Sequence, residues 1–427
     1  AVWLDLHLAE EDSRRRAAYT CEGNTTVRPL TGRLPGLRGV TARFVFGMTA
    51  EQFQFTAPAA GNALLRRRWH REAAGGTTTT VELNGRALGT CFEASHTITF
   101  IALKPGLLTL DGPDLCGEVV VDRIDLAPEE LALAPGRDIT PALFADRLRP
   151  RRANSHKGSY GDAALIGGAP GMVGAAILAG RAAAHLGAGR VLVGLLDPAA
   201  LAVDILRPEL MFRSAADLLA DTAIGAFGVG PGLGQSDSAR ALVVTAIATP
   251  RPLLLDADAL NLIAREPALQ AALAQRSSPT LLTPHPAEAA RLLARTTGDV
   301  QADRVAAACT LAARLAAWVV LKGCGSIVAS PDGQYWINTS GTPAMATAGM
   351  GDVLTGLAVA LLARGWNARD ALLAAVHLHG LAGNRICIEQ GIDSGLLADE
   401  LAPTARRCFN EWIKRGIDRS APTQEIS

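Results

Sequence analysis

Residues 163–174 read Ala163-Ala164-Leu165-Ile166-Gly167-Gly168-Ala169-Pro170-Gly171-Met172-Val173-Gly174, and an amphipathic pattern continues to Leu186. Four apolar residues, a glycine-rich turn and a helix make one β–α unit. A second apolar run at Val191–Leu196 makes it a βαβ unit. The same phrase recurs outward from it. Strands are predicted at Ala163–Ile166, Val191–Leu196, Ala226–Val229, Leu253–Leu255, Thr280–Leu282 and Val319–Leu321. Helices are predicted at Gly174–Leu186, Ser238–Ala248, Asn261–Ala274, Ala287–Ala294, Gln301–Trp318, Val353–Leu362 and Arg369–Glu389. Continuously apolar strands alternating with helices predict an α/β fold, a mostly parallel sheet covered on both faces. A hairpin, Ser326–Ala329 and Tyr335–Asn338, interrupts the alternation and predicts antiparallel strands at one edge.

In an open parallel sheet, ligands bind beyond the carboxyl ends of the strands. Here those ends carry the unusual text: Gly167 to Gly174, Gly230-Pro231-Gly232-Leu233-Gly234, Asp256 to Asn261, Thr283-Pro284-His285-Pro286 and Lys322-Gly323-Cys324-Gly325-Ser326. Five such turns in register point to one crevice. A dinucleotide-binding reading of the first turn fails, because Gly168 and Gly171 bracket Ala169-Pro170 and Gly-x-Gly-x-x-Gly is not matched. Prolines on both sides of His285 fix its backbone at a strand end.

The segment Thr347-Ala348-Gly349-Met350-Gly351-Asp352 precedes the apolar helix Val353–Leu362. Small residues let backbone N–H groups share one concavity, and the helix start adds its positive end. That geometry suits a phosphate and the charge that develops in phosphoryl transfer. Asp352 beside it can take a proton from a substrate hydroxyl. The plainer alternative is that Asp352 is the helix N-cap.

The rest of the chain bounds these readings. It has 427 residues, 49% hydrophobic, with 41 basic and 41 acidic side chains. At about 150 residues per domain, two or three domains are expected. Zero net charge argues against a nucleic-acid partner held through phosphates. No apolar run reaches membrane-span length, so no membrane partner is expected. The 7 cysteines are scattered with no metal spacing, which fits reduced thiols and a cytoplasmic location. Lysine occurs only at Lys104, Lys157, Lys322 and Lys414, so a lysine inside a motif is informative. His377 and His379, two apart on a helix, do not share a face, so packing or surface roles are expected. Residues 1–83 show no clear period, with low-complexity runs at Arg14–Arg16, Arg66–Arg68 and Thr77–Thr80. Strands are predicted at Thr97–Leu103 and Gly117–Val121, and a linker at residues 127–139.

Residues from about 140 to 415 resemble the ADP/ATP-dependent NAD(P)H-hydrate dehydratase family, whose fold is ribokinase-like. Ser155-His156-Lys157-Gly158, Gly167 to Gly174, Gly230 to Gly234, Asp256 to Asn261, Thr283 to Glu288, Lys322 to Ser326 and Ala346 to Asp352 carry the resemblance. Residues 85–125 resemble the end of the NAD(P)H-hydrate epimerase domain, through Ala94-Ser95-His96-Thr97, Lys104 to Thr109 and Gly112-Pro113-Asp114. The implied organisation is an unassigned, degenerate or disrupted segment 1–83, an epimerase remnant 84–126, a linker 127–139, a dehydratase domain 140–418 and a tail 419–427.

The resemblance also implies roles. Ala175, Gly232, Gly234 and His285 would line hydrated NADH or NADPH. Lys322, Gly323, Cys324, Gly325, Ser326, Gly349 and Gly351 would hold the ADP co-substrate. Asp352 would be the catalytic residue and touch the substrate. Mg2+ would accompany the nucleotide, with no protein ligands identified, and a homo-oligomer is expected.

Two departures stand out. Gly341-Thr342-Pro343-Ala344-Met345 replaces the family's Gly-Asn-Pro-Gly-Met, and Ala344 would be strained if a positive φ is required there. The epimerase motif Gly-Asn-Asn-Gly-Gly-Asp is absent, so epimerase activity is expected to be lost, through a frame disruption or displaced gene boundary or, alternatively, because the N-terminal module is truly divergent. Two other readings stay open: a ribokinase-superfamily kinase of a vitamin precursor or sugar, and a non-catalytic nucleotide-binding remnant. Phosphate released, rather than kept on the product, separates the first reading from the kinase.

Overall fold

The structure is a computed structural model. It describes residues 93–122 and 136–415, and the backbone of short strands at Val2–Asp5, Ala18–Cys21 and Glu425–Ile426. The remaining residues, including the runs at Arg14–Arg16, Arg66–Arg68 and Thr77–Thr80 and most of the predicted linker, lie outside the described residues. The chain divides into two compact units, Ala1–Pro135 with Gln424–Ser427, and Gly136–Thr423.

In the first unit, β1 (Val2–Asp5) pairs antiparallel with β2 (Ala18–Cys21). Further on, β3 (His96–Phe100) pairs in parallel with β4 (Glu118–Asp122). The short helices α1 (Pro105–Leu108) and α2 (Gly112–Cys116) make the crossover between them. Leu107 and Cys116 are buried with Ala94, a small core of the kind one βαβ unit provides.

The second unit holds strands β5 (Gly136–Asp138), β6 (Asp162–Gly167), β7 (Arg190–Leu195), β8 (Met211–Phe212), β9 (Ala226–Val229), β10 (Leu253–Leu255), β11 (Thr280–Leu282), β12 (Trp318–Leu321), β13 (Ile327–Ala329) and β14 (Tyr335–Ile337). They lie in the order β5-β14-β13-β12-β11-β10-β9-β6-β7-β8. From β12 through β8 all pairings are parallel. The hairpin β13–β14 adds two antiparallel pairings. It is not the end of the sheet, since β5 pairs in parallel with β14. Residues 136–138, expected as linker, are therefore a strand.

Helices cover both faces. On one, α3 (Val173–His185), α11 (Met350–Ala363), α12 (Ala368–Gln390) and α13 (Ala398–Arg415) pack together. On the other lie α4 (Ala215–Ala220), α5 (Asp237–Ala248), α6 (Ala257–Arg265), α7 (Pro267–Ala274), α8 (Pro286–Leu293), α9 (Thr297–Ala302) and α10 (Arg304–Leu315). The helix expected at Asn261–Ala274 is two, because Pro267 pushes Glu266 out of helical geometry. The one expected at Gln301–Trp318 is also two. Asp303 breaks it and caps α10 by accepting from the Ala306 N–H. Helix α13, although amphipathic at the helical period, and the two-residue strand β8 were not anticipated. Helix α12 is apolar and long enough to cross a membrane, but its apolar side chains are spent in the core against α11 and α13.

α11 is buried on every side from Val353 to Ala363. A helix apolar all round belongs in the middle of a protein. This fixes its polar first turn at the carboxyl end of the sheet.

Candidate active site

The strand order reverses between β6 and β9. β7 and β8 continue one way from β6, and β10 to β12 the other way from β9. Loops leaving two such strands diverge and leave a crevice. The loops after β6 and β9 are the first two glycine turns. They are tied together, with Gly168 N–H donating to Pro231 O at 3.0 Å and Ala169 N–H to Gly232 O at 2.7 Å. Gly232 lies against Met172 and Ala175, at the start of α3. Gly234 N–H donates to Asp258 Oδ2 at 2.9 Å.

The other turns continue the same rim. Thr283 N–H donates to Leu255 O at 3.2 Å, and Lys322 N–H to Pro284 O at 2.9 Å. Gly230 has φ 133°, and a Cβ there would sit 1.8 Å from Asp256 O. Only glycine lets the second turn lie against the third.

At the centre is Asp256, 1% exposed, at the end of β10. Its Oδ1 accepts from Lys322 Nζ at 2.9 Å, and its Oδ2 from the buried Thr355 hydroxyl at 2.9 Å. Glu288, also buried, lies 3.9 Å from the same ammonium. Burial works against the Lys322 charge, but Asp256, Glu288 and Asp352 outweigh it and raise its pKa. Burial raises the pKa of Glu288. His285 is the N-cap of α8 and shares a capping box with Glu288. Its Nδ1 accepts from Ala287 N–H at 3.1 Å, which leaves the proton on Nε2, facing Glu288 Oε1 at 3.2 Å. Burial, then Lys322 and Arg291, lower its pKa, so the ring is neutral at neutral pH.

Asp352 is not the N-cap of α11. That position belongs to Gly349, in the left-handed region at φ 89°, and no side chain caps the helix. Asp352 lies three residues further in. Its carboxylate has no hydrogen-bond partner among the described residues. Burial and the charge of Asp256 push its pKa up to about 7, against the pull of Lys322. Gly351 is beside it, and a Cβ there would lie 3.3 Å from Lys322 Nζ. The free N–H groups of the α11 start, the Lys322 ammonium and the Asp352 carboxylate thus converge. His379 Nε2 donates to Met350 O at 3.0 Å from α12 and holds this turn in place. His377 stacks on Trp412, so both histidines pack, as expected.

The loop Lys322 to Ser326 closes on itself, Ser326 Oγ donating to Gly323 O at 2.9 Å and accepting from Gly323 N–H at 3.2 Å. Arg304, 2% exposed, supports it from beneath. Its Nη2 donates to Leu321 O and Lys322 O, each at 3.2 Å. Cys324 is exposed on the loop. Ala344 lies in a 3-10 turn, and is not among the positive-φ residues, so the strain anticipated there does not arise.

The structure therefore gathers Ala175, Gly232, Gly234, His285, Lys322, Gly323, Cys324, Gly325, Ser326, Gly349, Gly351 and Asp352 along one rim. Asp256, Glu288, Thr355 and Arg304 belong with them and were not singled out. Asp256 was visible at a strand end. Thr355 reads as one polar residue in an apolar helix, and Arg304 as one arginine among many.

Such a crevice, at the strand-order reversal of a mostly parallel sheet, is that of a ribokinase-like α/β protein. Residues 163–407 match the family profile of NAD(P)H-hydrate dehydratase, and the chain belongs to that family of lyases. It is 43% identical over 284 residues to the ADP-dependent (S)-NAD(P)H-hydrate dehydratase of Neisseria meningitidis serogroup B, covering 66% of this chain and 94% of that protein. It is 40% identical over 339 residues to the bifunctional NAD(P)H-hydrate repair enzyme of Coxiella burnetii, covering 77% of this chain and 67% of that protein. In structure it is similar to the ADP/ATP-dependent NAD(P)H-hydrate dehydratase of Bacillus subtilis co-crystallized with ATP/Mg2+. That match has a TM-score of 0.57 and 32% identity, and covers 65% of this chain and 98% of that one.

Proposed function

We propose that this chain performs the ADP-dependent dehydration of (S)-NAD(P)H hydrate, giving NAD(P)H, AMP and phosphate. The observation that carries the reading is Asp352: a carboxylate with no hydrogen-bond partner among the described residues, pushed up to about 7 by burial, beside the uncapped start of α11 and the Lys322 ammonium. A general base works best with a pKa near the working pH.

In this reading the first two glycine turns, with Ala175, Gly232, Gly234 and His285, hold the hydrated nicotinamide end. The loop Lys322 to Ser326, with Gly349 and Gly351, holds ADP. Asp352 accepts the proton of the ring hydroxyl as its oxygen attacks the terminal phosphorus of ADP, and AMP leaves. The C–O bond to the new phosphate then breaks, a ring proton is lost and the double bond reforms. Hydroxide is a poor leaving group and phosphate a good one, which is why the transfer comes first.

Among the described residues no three His, Cys, Asp or Glu side chains converge on a metal position. The crevice ammonium is already offset by Asp256. This donor set fits Mg2+ that arrives on the nucleotide phosphates, where it would neutralise their charge. The epimerase motif is missing from residues 1–125, so the dehydratase reaction is proposed without epimerisation.

The test is absorbance recovery at the reduced-nicotinamide band when ADP is added to hydrated NADH. One phosphate should be released per NADH formed. Phosphate that stays on the organic product would establish the kinase reading instead.

A further inference from the structure

Ser155-His156-Lys157-Gly158 is the one resemblance motif with no place in the crevice. It lies at the start of β6, whereas the crevice lies at its end, about 20 Å away for a six-residue strand. There a cavity of about 560 Å³ opens between the end of α3, the start of β7 and β8. Its charged lining is Lys157, His185, Arg190, Arg207 and Arg406, against a single carboxylate, Glu209.

Two of these groups are accounted for. Arg190 forms a two-point pair with Asp162. His185 is held neutral by burial and by Arg406 and Arg207, its pKa lowered to about 4. Lys157, Arg207 and Arg406 make no ion pair among the described residues. They are not needed to cap α3. Arg364 already donates to Leu186 O at 3.0 Å, and Arg151 to Gly187 O. Three cations without a direct ion pair, with only the Glu209 carboxylate on the same lining, repel each other around one concavity, and a multivalent anion relieves that cost. The cavity is in the range for small-molecule sites, larger than one phosphate requires, and Leu210 and Met211 give it an apolar wall.

We propose that this cavity is a second anion site, which takes a phosphate ester of mononucleotide size. The phosphate lies among Lys157, Arg207 and Arg406, and the apolar body of the ester lies on Leu210 and Met211. The site stands apart from the crevice and does not depend on the reaction assigned there.

Binding of AMP, inorganic phosphate and adenosine to the full chain, followed by calorimetry, tests it. Lys157→Gln/Arg406→Gln should fold as the parent does, since both side chains are exposed. It should lose one class of AMP site, or weaken it at least about tenfold, the lower range for charged hydrogen bonds. Arg207→Gln should weaken the same class, and turnover at saturating ADP should be unchanged. Adenosine should not occupy the site, and inorganic phosphate should displace AMP from it only at higher concentration. Identical AMP isotherms in parent and both variants would overturn the proposal. So would adenosine bound as tightly as AMP. Equal potency of phosphate and AMP would overturn the part given to the apolar wall. A variant that changes only its sedimentation, with AMP binding intact, would reassign the cations to contact between copies. All these readouts are of binding, so a failure of the dehydratase assay leaves them interpretable.

Discussion

Lys322 Nζ lies 2.9 Å from Asp256 Oδ1, and this pair joins the loop after β12 to the end of β10 across the intervening strand. The lysine therefore has two tasks. It gives a buried carboxylate its ion-pair partner, and it presents a cation to the crevice. The second was readable from a lysine flanked by glycine in a chain with few lysines; the first was not.

The two tasks separate in a double variant. Lys322→Met leaves Asp256 buried without its partner, a change that costs about 3–5 kcal/mol in fully buried pairs and less here, since Lys322 is 22% exposed. It should also weaken ADP binding by about 1–3 kcal/mol. Adding Asp256→Asn removes the stranded charge and keeps an acceptor for the Thr355 hydroxyl. The double variant should regain most of the lost melting temperature and none of the lost ADP affinity. Recovery of both, by scanning and titration calorimetry, would show that Lys322 is structural only.

Arg304 gives a second prediction. It is buried under the Lys322 to Ser326 loop with its pKa lowered to about 10 by desolvation, so it remains charged at neutral pH. Arg304→Met strands the carbonyls of Leu321 and Lys322, a loss of about 1–3 kcal/mol. The loop should loosen, and the KM for ADP should rise about tenfold with kcat changed less. An unchanged KM in a destabilised protein would confine Arg304 to stability.

What could be read in the sequence followed from periodicity. Ala226–Val229, Leu253–Leu255 and Thr280–Leu282 are strands at the expected residues, because fully buried parallel strands are apolar without interruption. The crevice was readable because each strand end carries a cluster of glycine, proline or polar turn residues. Positions that work through a distant partner were hidden. Thr355 gains meaning only because α11 lays it against Asp256, 99 residues away in the chain. Gly136–Asp138 looked like linker because a three-residue strand has no period to detect.

The titration of Asp352 predicts a pH profile. Its carboxyl is pushed up to about 7, and only the ionised form accepts a proton. Below pH 7 the active fraction should fall tenfold per unit, so kcat/KM should show an acid limb with a midpoint near 7. A midpoint near 4 would mean that substrate meets a solvated carboxylate, or that another group is the base.

Asp352→Asn brings stability and catalysis together. In the fold the carboxyl titrates at about 7, above its ordinary 3.8, so the native state prefers it protonated. That preference contributes stability in full below about pH 4 and is lost as pH rises through 7. Above 7 the ionised group is a cost to the fold, one that the proposed role as a base would account for. Asparagine carries no charge and titrates nowhere. At pH 4 the variant and parent should melt at similar temperatures, and at pH 8 the variant should melt higher by a few degrees, about 2–4 °C per kcal/mol at this size. Turnover should fall at least about a hundredfold, the low end of general-base contributions, with ADP binding kept. A variant with turnover within a few-fold of the parent would move the base elsewhere. One that melts lower than the parent at pH 8 would show that Asp352 makes stabilising contacts as an anion, and the burial argument for its raised pKa would fall.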